Sequence, residues 1–369
     1  MDVTAMIRVF AINLGSTSTK VAYAEDGVIV LRDTIRHTPD ELEPFATVFD
    51  QRAFREATVL RYIEENGINL DKLDAIVSRG GQTEPIEGGV WAIDEAMLAQ
   101  VESGEYGVHV CSVGCRIAFD IAAATHAVAL TVDTPTTDEF LSLARYSGLP
   151  EITRASCFQA LNHKAMARYY ADSIGKAYEG LNLIVVMLGG GISVVAHDHG
   201  RMVDGPDALE GEGPFSNNRC CGVPSGQLVK MCYSGKYTYS EMMRHINGEA
   251  GLVGYLGTTD IMEIERRIAG GDERAEEVLD AMCYQTAKDI GAYATVLSGQ
   301  VDAILLIGGM ANSDFITSHI AERVEWIAPV VVMPGEREME RLCQSATDGL
   351  RGAEPIKEFS LYRGCASQD

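Results

Sequence analysis

The chain begins with a run of apolar positions, IRVFAINL, that breaks at Gly15 into four consecutive hydroxyl residues, Ser16 to Thr19. Alternation resumes in KVAYAED, which predicts a strand, and Asp26-Gly27 predicts a hairpin turn into a third strand over VIVLRDT. Four small polar side chains in a row cannot all face a dry core, so something polar must meet them. Helical spacing follows over about 50 to 66, with Phe54, Val59, Leu60 and Ile63 on one face and Gly67 closing the helix. AIVSRGG (75 to 81) reads as a buried strand running into a glycine turn. In LTVDTPTTDEFLSLARYSGLP a strand ends near Asp133. Thr136 and Glu139 then form a capping box, and a helix runs to about Tyr146 before Gly148 and Pro150 stop it. A further helix, SCFQALNHKAMARYYADSIG, ends at Gly175. The boundary placed here divides the chain into an N-terminal domain over 1–153 and a C-terminal domain over 154–369.

The opening device then returns. LNLIVVMLGGGISVVAHDHG carries an apolar strand, the triple glycine Gly189-Gly190-Gly191, a second strand and a turn at Asp198-His199-Gly200. Two related halves, each starting with a glycine-centred hairpin, are expected. A third glycine stretch, Gly308-Gly309, follows the buried strand AILLI and precedes a helix through Ile316, Ile320 and Val324. The pattern is α/β in two domains.

Composition removes several classes of function. With 369 residues the chain exceeds one ordinary domain, and no apolar run is long enough to span a membrane. No secretory signal is expected from MDVTAMIRVF. Nine cysteines without regular spacing suit a reduced, cytoplasmic protein better than a disulfide framework. His109, Cys111 and Cys115 could be three metal ligands, but packed thiols are the better account because no second zinc-like pair follows. The formal charge of −23 argues against nucleic acid. It also means that a bound phosphate must be held by local amides, Lys, Arg or a metal, against the overall field.

Glycine at a hairpin bend lets backbone N–H groups converge, and flanking hydroxyls add donors that suit phosphate oxygens. Two such hairpins, with a strand ending in Gly308-Gly309 for a nucleoside, would make a nucleotide clamp. Neither G-x4-G-K-[ST] nor G-x-G-x-x-G is present.

The stretch Asn13-Leu14-Gly15-Ser16-Thr17-Ser18-Thr19-Lys20 resembles the opening of the acetate and butyrate kinases, usually Asn-Pro-Gly-Ser-Thr-Ser-Thr-Lys. The likeness to butyrate kinases continues through SGLPEITRAS, QALNHKAMAR, LGGGISVVAH, ALEGEGPFSNNRCCGVPSGQL, GLVGYLGTTD, LIGGMANS and WIAPVVVMPGEREMERL. The resemblance implies two ribonuclease-H-like domains in the duplicated actin/sugar-kinase/Hsp70 fold, with a nucleotide cleft between them. It also implies ATP and Mg²⁺ as cofactors and transfer of the γ-phosphoryl group to a small carboxylic acid. A homo-oligomer is expected too, although the residues do not themselves read out the oligomeric state.

A carboxylate is already ionised at neutral pH, so the implied reaction needs no general base. The obstacle is the approach of two anions, and catalysis falls to positioning and local positive charge. By resemblance the catalytic set is Arg219, Arg79, Gln159 and His109. Nucleotide and phosphate would be met by Asn13, Gly15, Ser16, Thr17, Ser18, Lys20, Gly189, Gly190, Gly191, Gly308, Gly309 and Asn312. Asp133 and Glu338 are the Mg²⁺ candidates, with Glu336 an alternative to Glu338. Arg154 reads equally well as a solvated arginine at a helix start. The chain departs from the family pattern at Leu14 for proline, at Gln82-Thr83-Glu84, at Ser112 for an amide and at Gln159 for histidine. These departures fall on the carboxylate side or the phosphoryl path. Three readings follow: an active butyrate-type kinase, a carboxylate kinase for another or more polar acid, and a nucleotide-binding regulator or ATPase without acyl phosphate chemistry.

Overall fold

Strand β1 (Arg8–Gly15) is buried along six successive positions, which explains its unbroken apolar run. Its even positions Phe10, Ile12 and Leu14 pack with Val59 and Ile63 of helix Arg52–Glu65 and with Val113 and Ile117 of helix Cys111–Ala123. Its odd positions Val9 and Ala11 pack with Met339, Leu342, Cys343 and Ala346 of helix Glu338–Arg351. The computed structural model describes residues 5–208 and 210–362. Within them the chain divides into two compact units.

The first unit contains the described residues up to Asp138, then Ala160–Ala165, then those from Arg337 onward. Around β1 lie β2 (Ser18–Glu25), β3 (Val28–Arg36), β4 (Ala75–Ser78), β5 (Val90–Ala92), β6 (Val128–Val132) and the C-terminal strand Ile356–Glu358. The sheet order is C-terminal strand, β5, β6, β4, β1, β2, β3. β1, β4 and β6 run parallel, so their carboxyl ends share one edge. β1, β2 and β3 form an antiparallel meander, turned at Asp26-Gly27 where both residues have positive φ.

The second unit contains Glu139–Gln159 and Met166–Glu336. Its sheet is ordered β11 (Val330–Pro334), β10 (Ala303–Gly308), β7 (Asn182–Leu188), β8 (Ile192–Asp198), β9 (Arg201–Asp204). β7, β8 and β9 repeat the antiparallel meander, with β10 parallel to β7 as β4 is to β1. In both units the second strand of the meander shifts register against the third, at Tyr23/Ala24 and at Ala196/His197. One face packs against the 24-residue helix Glu273–Val296, whose buried positions Ala275, Val278, Leu279, Met282 and Cys283 keep helical spacing.

Three expectations change. The division at 153/154 puts the chain's last segment in the second domain, whereas residues from 337 onward lie with the first unit. Helix Glu338–Arg351 covers the β1 face there, and strand Ile356–Glu358 pairs with β5. The helix expected over 136–146 is only a short 3₁₀ turn, Ser142–Arg145. Its would-be capping atoms have tertiary partners instead: the Thr136 hydroxyl accepts from the Thr83 N–H, and the Glu139 carboxylate accepts from the Met202 N–H. Helix Arg52–Glu65 turns Leu60 outward and buries Arg55 and Tyr62. No helix among the described residues is long and apolar enough to cross a membrane. The eight described cysteines are free thiols, and Cys365 lies outside the described residues.

Candidate active site

In the second unit the three glycine-bearing turns stand at the carboxyl ends of neighbouring parallel strands, where open α/β sheets hold ligands. The Gly189–Gly191 turn follows β7, Gly308–Asn312 follows β10, and Gly335 follows β11 and pairs with Gly308. Gly308 has φ +89°, and a Cβ there would collide with the Leu188 carbonyl oxygen. Only glycine lets β10 end so close to β7. The amide of Asn312 donates to the Gly309 carbonyl at 2.9 Å and closes this turn on itself.

Arg219 lies against the triple-glycine turn. A Cβ on Gly191 would stand 2.6 Å from its Nη1. The guanidinium donates from Nη1 to the Ala208 carbonyl at 3.1 Å, while Nε is buried with no partner among the described residues. Ser216 ties the loop down by donating to the Gly190 carbonyl at 2.7 Å. The result is a fixed cation with an unspent N–H beside a turn built for close approach. Arg154, also in this unit, is fully employed elsewhere: it donates to Glu212 at 2.7 Å, to Asp204 at 3.2 Å and to the carbonyls of Ala144 and Gly205. It is a structural ion-pair centre. Gln159, exposed just before helix Ala160–Ser173, has no side-chain hydrogen bond among the described residues.

The first unit gathers a second set at the carboxyl ends of β1, β4 and β6. Of the four hydroxyl residues, Ser16 and Thr17 are exposed and Ser18 is half-buried at the hairpin tip, whereas Thr19 is wholly buried and meets His37 Nε2 at 2.8 Å. The hydroxyl run thus splits between a solvent-facing tip and a structural anchor. Lys20 sits on β2 directly opposite Asn13.

Arg79 follows β4, its N–H bonded to the Ile12 carbonyl. His109 lies near it, and burial, reinforced by the Arg79 charge, holds the imidazole below its ordinary pKa. The Cys111 N–H donates to His109 Nδ1 at 3.2 Å, which leaves Nε2 as the protonated, donating nitrogen of a neutral ring. Burial pushes the Cys111 thiol up to about 11, so it stays protonated. The departures from the family pattern show here as buried, unpartnered atoms among the described residues: Gln82 Oε1 and Ser112 Oγ.

The two candidate metal carboxylates differ. Asp133, strained at φ +44° and almost fully buried, already has a cation: Arg341 donates to its Oδ2 at 3.1 Å, and the Gly89 N–H donates to its Oδ1. Arg341 also reaches Glu354 at 3.1 Å. Glu338 is 5% exposed, accepts from the Asn13 amide at 2.7 Å, and has no cationic side chain within ion-pair reach among the described residues. A buried carboxylate with only a neutral partner suits a hard cation, whereas one already neutralised by arginine suits it less. Glu336 is exposed and belongs to the second unit. No cluster of three or more His, Cys, Asp or Glu side chains able to hold a metal occurs among the described residues.

Sequence reasoning missed Arg55, Arg341 and His37. Arg341 lies one turn after Glu338 on the same helix, a spacing that could have flagged it. The other two gave no signal, because their partners are remote in sequence.

The Acetokinase family model matches residues 149–341. A protein of Clostridium botulinum (strain Alaska E43 / Type E3) described as a probable butyrate kinase is 44% identical over 352 residues, covering 95% of this chain and 99% of that one. The chain belongs to the acetokinase family. Among solved structures, the acetate kinase of Porphyromonas gingivalis matches with a TM-score of 0.75 at 17% identity, covering 94% of this chain and 100% of that chain. A propionate kinase from Francisella tularensis subsp. tularensis SCHU S4 matches with a TM-score of 0.69 at 17% identity, covering 92% and 99%. The acetokinase architecture, the duplicated α/β fold of actin, sugar kinases and Hsp70, accounts for the paired meanders of the two units.

Proposed function

We propose that this acetokinase transfers the γ-phosphoryl group of ATP to butyrate or a similar short-chain acid, giving acyl phosphate and ADP reversibly. A carboxylate oxygen attacks the γ-phosphorus and the bond to the β–γ bridging oxygen breaks, so no proton has to move. The observation that carries this reading is Arg219, a guanidinium held against the Gly191 turn with a single hydrogen bond among the described residues, from Nη1 to the Ala208 carbonyl. It is the charge that two approaching anions require. The near-full-length identity to a probable butyrate kinase supports the choice of acid.

In this reading the second unit takes the nucleotide on Gly189–Gly191, Gly308, Gly309 and Asn312. The first unit contributes the Gly15–Ser18 hairpin with Asn13 and Lys20 to phosphate, and Arg79 with the neutral His109 Nε2–H to the carboxylate. Gln159 supplies a neutral hydrogen bond where the family has histidine. Mg²⁺ would be held by Glu338, with Asp133 as a supporting carboxylate already shared with Arg341. When bound, it neutralises phosphate charge.

A second reading, a kinase for a more polar acid, is favoured by the unpartnered Gln82 Oε1 and Ser112 Oγ. Hydroxylamine trapping of acyl phosphate from ATP, Mg²⁺ and a panel from acetate to valerate, with hydroxylated variants, separates the two. Product with butyrate supports the first reading, and product only with a hydroxylated acid supports the second. ATP hydrolysis that no acid stimulates would refute both and leave a nucleotide-binding regulator or ATPase.

A further inference from the structure

Arg55, on helix Arg52–Glu65, is wholly buried beneath the Gly15–Ser18 hairpin, and all five of its N–H groups are spent. Nη1 donates to the Ser18 carbonyl at 2.7 Å and the Thr19 hydroxyl at 3.2 Å. Nη2 donates to the Ser16 carbonyl at 3.0 Å and to Gln51 Oε1 at 3.0 Å, and Nε donates to the same Gln51 oxygen at 3.1 Å. Every acceptor is neutral, and no carboxylate lies within ion-pair distance among the described residues.

That is unusual, since buried guanidinium groups are ordinarily paired with anions. Elsewhere this chain follows the rule: Arg341 meets Asp133 and Glu354, and Arg154 meets Glu212 and Asp204. Burial lowers the pKa of Arg55 and no neighbouring anion raises it, yet a guanidinium stays ionised in proteins. The hairpin therefore rests on an uncompensated positive charge. The two carbonyls that Arg55 holds, Ser16 and Ser18, bracket the turn. Because the peptide unit is planar and trans, a Ser16 carbonyl drawn toward Arg55 turns the Thr17 N–H the opposite way.

We propose that Arg55 is a positioning residue of the phosphate hairpin. It fixes the turn from behind and supplies a charge that is balanced only when a phosphoryl group sits on the hairpin. This rests on the assignment of residues 15–18 to phosphate.

Gln51→Glu tests the charge without disturbing the geometry, because it keeps the oxygen that Arg55 binds and adds a compensating anion. A purely structural arginine predicts unchanged or higher Tm and unchanged kinetics. The proposal predicts unchanged or higher Tm with kcat/KM for ATP reduced about tenfold and KM for the carboxylate within twofold. Arg55→Gln should lose more, and Arg55→Lys, which keeps the charge, should recover part of that loss when all are assayed well below their Tm. Equal losses in the Lys and Gln variants, or a Gln51→Glu enzyme with wild-type kcat/KM, would overturn the proposal. The double variant Ser16→Asp/Thr17→Asp, which sets two anions on the exposed tip where phosphate would sit, separates the two layers. If it leaves ATP and acyl phosphate kinetics untouched, the hairpin assignment falls and the Arg55 proposal with it. If it impairs them while the Gln51 and Arg55 variants do not, only the Arg55 proposal falls.

Discussion

The two glycine hairpins share a topology but use arginine in opposite ways. Beneath the first, Arg55 is buried on a helix, with its five N–H groups consumed by the loop's carbonyls, Thr19 and Gln51. Beside the second, Arg219 is half-buried on a loop, packed on Gly191 with Nε unpartnered among the described residues. A guanidinium with no free donor can only shape and polarise what it holds, while one that spends a single terminal N–H keeps others for a ligand. The comparison separates an arginine that builds a loop from one that acts on what the loop binds.

The largest expected effect breaks the comparison on the second side. Arg219→Ala should lower kcat by about 10³-fold while ATP affinity, measured by calorimetry, stays within a few-fold. Unchanged turnover would remove Arg219 from the chemistry. A Cβ at Gly191 reaches only the end of the Arg219 side chain, so Gly191→Ala should fold normally but displace the guanidinium. Turnover should fall by about tenfold, a barrier change of ~1.4 kcal/mol, while Gly190→Ala, whose Cβ would enter open space, should lose less. Equal kinetics in these two variants would show that the close packing has no part in catalysis.

A control outside both hairpins is His163 on helix Ala160–Ser173, wholly buried and pushed down to about 3 by desolvation. Its folded pKa is below its unfolded value. The stability it contributes is therefore present above the ordinary histidine pKa and is lost as pH falls from about 6.5 toward about 3. Urea unfolding should show a loss of up to ~1.4 kcal/mol per pH unit in that window, flattened in His163→Gln. An identical slope in the variant would assign the acid lability to other groups. The smallest effect concerns Gln159: Gln159→His should raise turnover with butyrate several-fold. A fall instead would mean that the site is built around glutamine for another acid.

Much of this was legible in the chain. The two meanders, their turns at Asp26-Gly27 and His199-Gly200, and helix Asp314–Val324 with Ile316, Ile320 and Val324 inward follow from local periodicity and glycine placement. So did the glycine turns of the second unit, because a backbone that needs close approach writes glycine into the sequence. The helix expected at 136–146 failed because Thr136 and Glu139 have tertiary partners, Thr83 and Met202, that outcompete a local cap.

By itself, the sequence determined where strands and turns fall, that the molecule is built from a repeated meander, and which loops present glycine and hydroxyl groups. Those are properties of neighbouring residues. Tertiary structure alone decided that the last helix belongs to the first unit, that Asp133 has its own arginine while Glu338 meets the Asn13 amide and no cation among the described residues, and that Arg55 is a buried cation. Charge compensation depends on which groups share a desolvated volume, and residues 133 and 341, or 16 and 55, meet there only once the chain has folded.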